Sequence, residues 1–279
     1  MKNKNLQRYA HNRASVEEHL ASRLPKALRK QFVSTKSKLW WRYPVYRRAK
    51  PVTDVDGNAV TRLLDEDGTQ TNLFGEKVPA TRFMTPGEQQ ELYRLVAEHR
   101  PKFSVEVGLA AGYSTLSMLQ AIADKKCGKL LSIDPFQISD FKGAGLMNVR
   151  RAGLDDFHLW WERMSHYSLP ILAESGAKVD FALIDGNHLF DYTLTEFYYL
   201  DRILKREGCM VFHDYRYPAV RACLNFIEAN FPYKVMPTAE PNIRVLIKEN
   251  YDQRPWYYFK PFNVPQIAWT ALENREMCE

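Results

Sequence analysis

A doubly wound α/β sheet is the fold this sequence predicts, and three observations predict it. From residue 85 onward, short apolar runs of strand length alternate with helical stretches, the pattern of parallel strands joined by crossover helices. Several of those runs end in Gly or Asp, residues that turn the chain at the carboxyl edge of such a sheet. The composition, 45% hydrophobic and 26% charged over 279 residues, supplies the core that one large domain needs.

Taken in order, residues 1–50 hold 14 Lys and Arg against Glu17 and Glu18, which leaves 25 basic and 31 acidic residues for the rest of the chain. The net charge of +6 therefore belongs to an N-terminal arm, read as helix or flexible chain, and not to the body. The arm closes on the aromatic-basic run Leu39–Arg48. Such a run can stack on bases, rest at a membrane interface, fold over a ligand pocket or pack on its own body. Within residues 51–80, turn signals at Asp56-Gly57-Asn58 and Asp67-Gly68 flank the strand-like run 59–64, which predicts a small hairpin. Those turns lack the spaced oxygen ligands and closing Glu of a calcium loop.

Thr85-Pro86-Gly87-Glu88 is a capping box with proline at the first helical position and opens a helix through His99. The strand Phe103–Val107 runs into a glycine-containing turn and a helix from about Ser114 to Asp124. Leu130–Ile133 is the next strand and ends in Asp134-Pro135. A helical region, a strand near Phe157–Met164 and a short helix after Pro170 lead to the buried strand Val179–Ile184. A helix over roughly Tyr192–Lys205, the strand Cys209–His213 and a helix near Ala219–Asn230 complete the alternation. The strands Tyr233–Met236 and Arg244–Lys248, separated by a proline-containing turn, close it.

No apolar stretch approaches the ~18 residues of a transmembrane helix. The basic start is followed by no apolar run of the secretory kind. Cys127, Cys209, Cys223 and Cys278 lie far apart with no CxxC pair, a spacing that suits reduced thiols and a cytoplasmic location.

The segment SVEVGLAAGYSTLSML sets Glu106, Gly108, Gly112 and Ser114 between a strand and a helix. Glycine allows a sharp turn and close approach to a ligand, and helix N-terminal amides favour an anionic group. The spacing is not the G-x-G-x-x-G of dinucleotide binders, which speaks against a nicotinamide enzyme, and no GxxxxGK[ST] phosphate loop occurs. Asp134, 28 residues after Glu106 at the end of the next strand, can accept hydrogen bonds from two ribose hydroxyls, or simply cap a helix. Asp185 ends one buried strand and His213-Asp214 the next, with His188 close behind Asp185. Strand ends brought side by side there could bind a divalent cation and acidify a substrate hydroxyl, or position a histidine as base. Trp160, Trp161, Tyr192, Tyr198 and Tyr199 could line an acceptor pocket, but most are expected in the core, while His11, His19, His99 and His158 are expected at the surface or in structural places.

The ordered motifs EVGLAAGYST, LLSIDPF, SHYSLPIL, VDFALIDGNH and GCMVFHDY resemble the class I S-adenosylmethionine-dependent methyltransferases. The likeness is to O-methyltransferases of the catechol and caffeoyl-CoA kind and to bacterial relatives acting on sugars and antibiotics, and it covers about residues 83–250. It implies a Rossmann-like, seven-stranded mixed sheet with helices on both faces. The division would be an extension over 1–80, a cofactor-binding domain over 81–250 and a tail over 251–279. By the same resemblance, the backbone around Gly108–Ser114 would hold the methionine part of the cofactor, and Glu106 and Asp185 count among the cofactor-binding residues. Asp134 would hold the ribose, and Ser165 and His166 would border the adenine. Asp185, His213 and Asp214 would take a cation, Mg²⁺ in the family, and a softer ion would suit the imidazole. His188 stands where catechol-type enzymes have a lysine base, so His188, Asp185 and His213 are the candidate catalytic residues. Ala110 replaces a glycine that the family commonly has, and Tyr215 an asparagine of the catechol type.

The expected reaction is methyl transfer to a phenolic or sugar hydroxyl of a small molecule. The rivals are an RNA methyltransferase that grips its substrate with the basic arm, and a cofactor-binding interaction protein without catalysis. The sequence IDGN, where base amino-methylating enzymes have a DPPY-like signature, argues against the first. The sequence is compatible with more than one acceptor, with or without a metal, and with a homo-oligomer.

Overall fold

The computed structural model describes residues 35, 39, 42–49, 69–80 and 84–265. In chain order these form helix α1 (Pro44–Arg48), strands β1 (Thr69–Thr71) and β2 (Lys77–Pro79), α2 (Pro86–His99), β3 (Phe103–Val107), α3 (Tyr113–Lys125), β4 (Lys129–Ile133) and α4 (Ala144–Arg151). Then follow β5 (His158–Trp161), α5 (Ser165–Glu174), β6 (Val179–Ile184), α6 (Phe190–Ile203), β7 (Leu204–Phe212), α7 (Pro218–Asn230), β8 (Tyr233–Met236) and β9 (Arg244–Lys248).

The main sheet has seven strands in the order β5-β4-β3-β6-β7-β9-β8. The strands from β5 to β7 run parallel, whereas β9 pairs antiparallel with both β7 and β8. Strands β3 and β4 are buried along their whole length because helices cover both faces of the sheet. Leu92, Leu95 and Val96 of α2 pack with Leu116 and Leu119 of α3 on one face, against Phe181, Leu183 and Val211. On the other face Leu169 and Leu172 of α5, Phe197 and Leu200 of α6, and Leu224 and Ile227 of α7 meet Val105, Leu131 and Met210. Each such side chain taken fully out of water contributes roughly 1.5–3 kcal/mol. The chain leaves β3 towards β4 on one side and later returns to β6 on the other. The carboxyl ends of β3 and β6 therefore border the crevice where ligands bind in open α/β sheets.

Both capping-box bonds form at α2: Glu88 N donates to Thr85 Oγ1 at 3.2 Å, and Thr85 N donates to Glu88 Oε2 at 2.6 Å. Helix α5 begins five residues before Pro170 rather than after it. Proline removes one helical donor, but Leu169 and Leu172 on either side are fully buried, and that packing holds the turn together. The hairpin observed is β1–β2, closed over Asn72–Gly75, and the run 59–64 lies outside the described residues.

Of the four readings of the arm, packing on its own body is the one seen at the described aromatic residues Tyr43 and Tyr46. Leu39, Tyr43 and Tyr46 are buried with Leu73, Leu109, Leu146, Met147 and Trp160. Trp160 and Trp161 are core, as expected for most of the aromatic set, whereas Tyr198 is exposed. Among the described residues no helix is long and apolar enough to cross a membrane, and Cys127, Cys209 and Cys223 are free thiols.

Candidate active site

The site is built on a corner that only glycine permits. Gly108 follows β3 with φ +89°, and a Cβ there would fall deep inside the Asp185 carbonyl group, with the carbonyl carbon 2.8 Å away. The turns after β3 and β6 thus touch backbone to backbone. Two residues on, Ala110 holds φ +47°, the left-handed region that accounts for glycine being common at this place in the family it resembles. Gly112 caps α3 at φ +86°, and a Cβ there would press on Gly145.

Glu106 lies beneath this corner and is fully buried. It accepts hydrogen bonds from Ser114 Oγ (2.5 Å), Thr115 Oγ1 (2.7 Å) and Ser132 Oγ (2.6 Å). Burial pushes its carboxyl up to about 7 although the three hydroxyls pull the other way. Glu106, Gly112 and Ser114, expected at the cofactor itself, thus support the turn from behind and do not line the cavity. For Glu106 the reason is the alternation of the strand, which sets it on the opposite side of the backbone from its two neighbours.

Asp134 does line the cavity, but its carboxylate is engaged by the protein. Oδ2 accepts from Leu109 N (3.0 Å), Ala110 N (2.9 Å) and Gln137 Nε2 (3.0 Å), and Oδ1 accepts from Phe136 N (2.8 Å). Asp134 therefore ties the glycine corner to the end of β4.

The cavity itself, about 380 Å³, opens between these strand ends. Gly108, Asp134, Ser165, Asp185, His188 and Glu196 are among its walls. His166 is not; its ring lies against Tyr167 and Tyr192, and Tyr192 is the one that reaches the cavity. Ser165 Oγ donates to Glu196 Oε1 at 2.7 Å, whereas Glu196 Oε2 is buried with no partner. Burial raises the Glu196 carboxyl to about 7, with Ser165 opposing.

Beside the cavity stands an acid–imidazole cluster. His188 Nε2 lies 3.0 Å from Asp214 Oδ2 and 3.5 Å from Asp185 Oδ1. Asp214 holds φ +56°, strain of the kind kept at functional positions. His213 Nδ1 is 2.9 Å from Asp185 Oδ1, and its Nε2 is 3.3 Å from Glu88 Oε1, the oxygen of the capping-box acid that the cap does not use. Asn242 Nδ2 donates to Glu88 Oε1 (2.9 Å) and to Asp214 Oδ1 (3.1 Å).

Burial alone would strip both imidazoles of charge, but the carboxylates outweigh it. Asp185 and Asp214 lift His188 to about 9; Asp185, Asp214 and Glu88 lift His213 to about 12. The imidazoles in turn hold Asp185 and Asp214 below the usual carboxylate range, against the effect of their burial.

Two expectations change. Among the described residues, the set able to hold a metal ion is Asp185, His188 and Asp214, whose ligand atoms lie within 4.8 Å of one another. His213 is not in it, because it is almost wholly buried with both ring nitrogens on carboxylates, an arrangement for an imidazolium rather than a ligand or a base. His188 keeps its place at the cavity, but not an ordinary pKa. Glu88, Glu196 and Asn242 join the site unforeseen; for Glu88 the capping box was the only signal, and it pointed elsewhere.

Residues 105–215 match the model of a family described as a methyltransferase domain. Comparison with curated proteins gives no match. Among solved structures, the O-methyltransferase TomG of Streptomyces achromogenes, involved in tomaymycin synthesis and solved with S-adenosylmethionine, is similar at 15% identity and a TM-score of 0.53 over 71% of this chain and 93% of that one. An O-methyltransferase of Bacillus cereus in complex with S-adenosylhomocysteine is similar at 14% identity and a TM-score of 0.52, over 75% of this chain and 100% of that one. At these identities the likeness establishes the fold.

Proposed function

We propose that this chain, which carries a methyltransferase domain over residues 105–215, uses S-adenosylmethionine to methylate a hydroxyl of a small-molecule acceptor. The observation that carries the reading is the lining of the cavity at the β3–β6 crevice. Asp134, Asp185 and Glu196 stand on its walls, and the described residues that line it include no Lys or Arg. A dinucleotide brings phosphates that call for cationic or amide-rich contacts, whereas the adenosyl sulfonium has none and is positive at sulfur. The volume falls within the ~300–1,000 Å³ of small-ligand sites. Asp134 Oδ1 receives a single amide and keeps a lone pair for a ribose hydroxyl.

When bound, S-adenosylmethionine supplies a methyl group made electrophilic by its sulfonium. The side chains of this protein do the rest by holding donor and acceptor in line and removing one proton. Asp185 and His188, where the cavity meets the acid–imidazole cluster, orient the acceptor hydroxyl. His188 takes up the hydroxyl proton once it has released its own, so its basic form grows as pH rises towards 9. His213, fixed between Asp185 and Glu88, holds the Asp185 carboxylate in place. Asp185, His188 and Asp214 also fit a divalent cation such as Mg²⁺, which would lower the pKa of the acceptor hydroxyl in place of proton uptake by His188, whose nitrogen would then be a ligand.

The test combines calorimetric titration with S-adenosylhomocysteine and mass spectrometry of phenolic and sugar acceptors incubated with S-adenosylmethionine, with and without Mg²⁺ or Mn²⁺. A methyl-sized gain on an acceptor oxygen supports the reading. No heat with S-adenosylhomocysteine defeats it. Binding without transfer to any acceptor favours the non-catalytic alternative, and methylation of RNA with strongly salt-dependent affinity favours the other.

A further inference from the structure

We propose that Thr35 and His158 are positioning residues for the cofactor turn, so that seating of the N-terminal arm and binding of the adenosyl cofactor reinforce each other. The inference rests on the S-adenosylmethionine reading above.

A chain of buried polar side chains joins the arm to the base of the turn across three neighbouring strands. Thr35 Oγ1 lies 3.2 Å from His158 Nδ1 on β5. His158 Nε2 lies 2.9 Å from Ser132 Oγ on β4, and Ser132 donates to Glu106 on β3, its partner in register. Because the Ser132 proton is given to a carboxylate, its oxygen accepts from His158 Nε2–H. His158 Nδ1 is then left to accept from the Thr35 hydroxyl. Thr35, His158, Ser132 and Glu106 are all 0% exposed, so water replaces none of these partners.

Glu106 passes the constraint on. Its two oxygens hold Ser114 and Thr115, in the first turn of α3, which is the end from which the Gly108–Gly112 corner emerges. A second link is apolar. Leu109, the residue after Gly108, belongs to the same buried cluster as Leu39, Tyr43 and Tyr46 of the arm, and its amide is tied to Asp134. The arm is anchored independently by Tyr46 OH, which donates to Asp155 Oδ2 at 3.1 Å where Asp155 pairs with Arg150.

The cavity-lining corner thus has the arm packed on one of its residues and hydrogen-bonded, through His158, to the carboxylate that holds its base. Ordering the corner with a ligand favours the seated arm, and by linkage the seated arm favours the ligand to the same degree. A purely structural arm would stabilise the fold without sensing the ligand.

The test uses the full chain and S-adenosylhomocysteine. Hydrogen exchange of residues 42–49 should slow when it is added. Thr35→Val should weaken its affinity by about two- to tenfold, the scale of one buried hydrogen bond, while Thr35→Ser, which keeps the hydroxyl, restores it. His158→Phe should weaken it at least as much, and adding Thr35→Val to that variant should cost nothing further, because the chain is already cut. Should His158→Phe not fold, the Thr35 pair decides alone. Wild-type affinity in Thr35→Val overturns the proposal while leaving the cofactor reading intact. A wild-type protein that fails to bind the nucleoside overturns that reading itself.

Discussion

Replacing Gly108 by alanine perturbs the site through its backbone. The new Cβ would sit inside the Asp185 carbonyl group and 3.3 Å from Gly186 Cα, and no side chain can rotate away because every atom it meets is main chain. At φ +89° a residue with a Cβ also costs about 1–2 kcal/mol. Overpacking at a tight contact adds about 1–3 kcal/mol, which makes a total of about 2–5 kcal/mol. A domain of this size then melts roughly 5–20 °C lower yet stays folded at room temperature. To relieve the overlap the β6 turn must move away from β3, carrying Asp185 and Gly186 out of the cavity wall. Affinity for S-adenosylhomocysteine should drop at least tenfold, about 1.4 kcal/mol. Calorimetric titration with a thermal scan of the same preparation measures both. A variant with wild-type affinity would show that the corner does not shape the ligand site.

The remaining predictions concern the acid–imidazole cluster and the cavity acid. His188→Ala should cut turnover at least tenfold with affinity for S-adenosylhomocysteine within twofold of wild type. The same change should remove the rise of turnover towards pH 9 that deprotonation of His188 produces; an unaltered pH profile would exclude it as the base. Glu88 is held at about 2, so its stabilisation is complete above its unfolded value of 4.5 and fades as pH falls from there to 2; burial opposes this shift, while His213, the Thr85 amide and Asn242 cause it. His213 is held at about 12, so its contribution is complete below its unfolded value of 6.5 and fades as pH rises towards 12. The pair therefore stabilises most between pH 4.5 and 6.5, and His213→Gln should flatten both limbs of the melting-temperature profile; parallel profiles would contradict the pairing. Glu196 is raised from 4.5 to about 7, so folding loses stability as pH rises through that interval. Glu196→Gln should be the more stable protein by about 3 kcal/mol at pH 8 and gain nothing at pH 4; equal melting at pH 8 would count against a buried carboxylate with one oxygen unpartnered.

The frame of the fold was readable one element at a time. Thr85 and Glu88 announce α2 because a capping box is a contact between residues three apart, visible in the chain itself. The strands Phe103–Val107, Val179–Ile184, Tyr233–Met236 and Arg244–Lys248 were readable for a similar reason: strand runs between turn signals leave few alternatives. The start of β7 was not. Leu204 follows α6 with no loop and pairs with Val179, and the register then shifts before Cys209 meets Phe181, an irregularity with no local signature. Pro170 misled for the opposite reason, a strong local signal overruled by burial of its neighbours.

At the candidate site the same division holds. The sequence alone determined which residues stand at the strand ends (Gly108, Asp134, Asp185, His188, His213 and Asp214), because order along the chain and the parallel crossover rule suffice to bring them to one edge. Only the tertiary structure decided what each one does there. It turned His213 away from the cavity onto Glu88, 125 residues earlier in the chain, and set His188 between two carboxylates. It also used Asp134 to hold backbone amides and drew the arm to Glu106 through His158. Hydrogen bonds and charge states depend on distances of about 3 Å between groups far apart in sequence, and no pattern within a single segment encodes those distances.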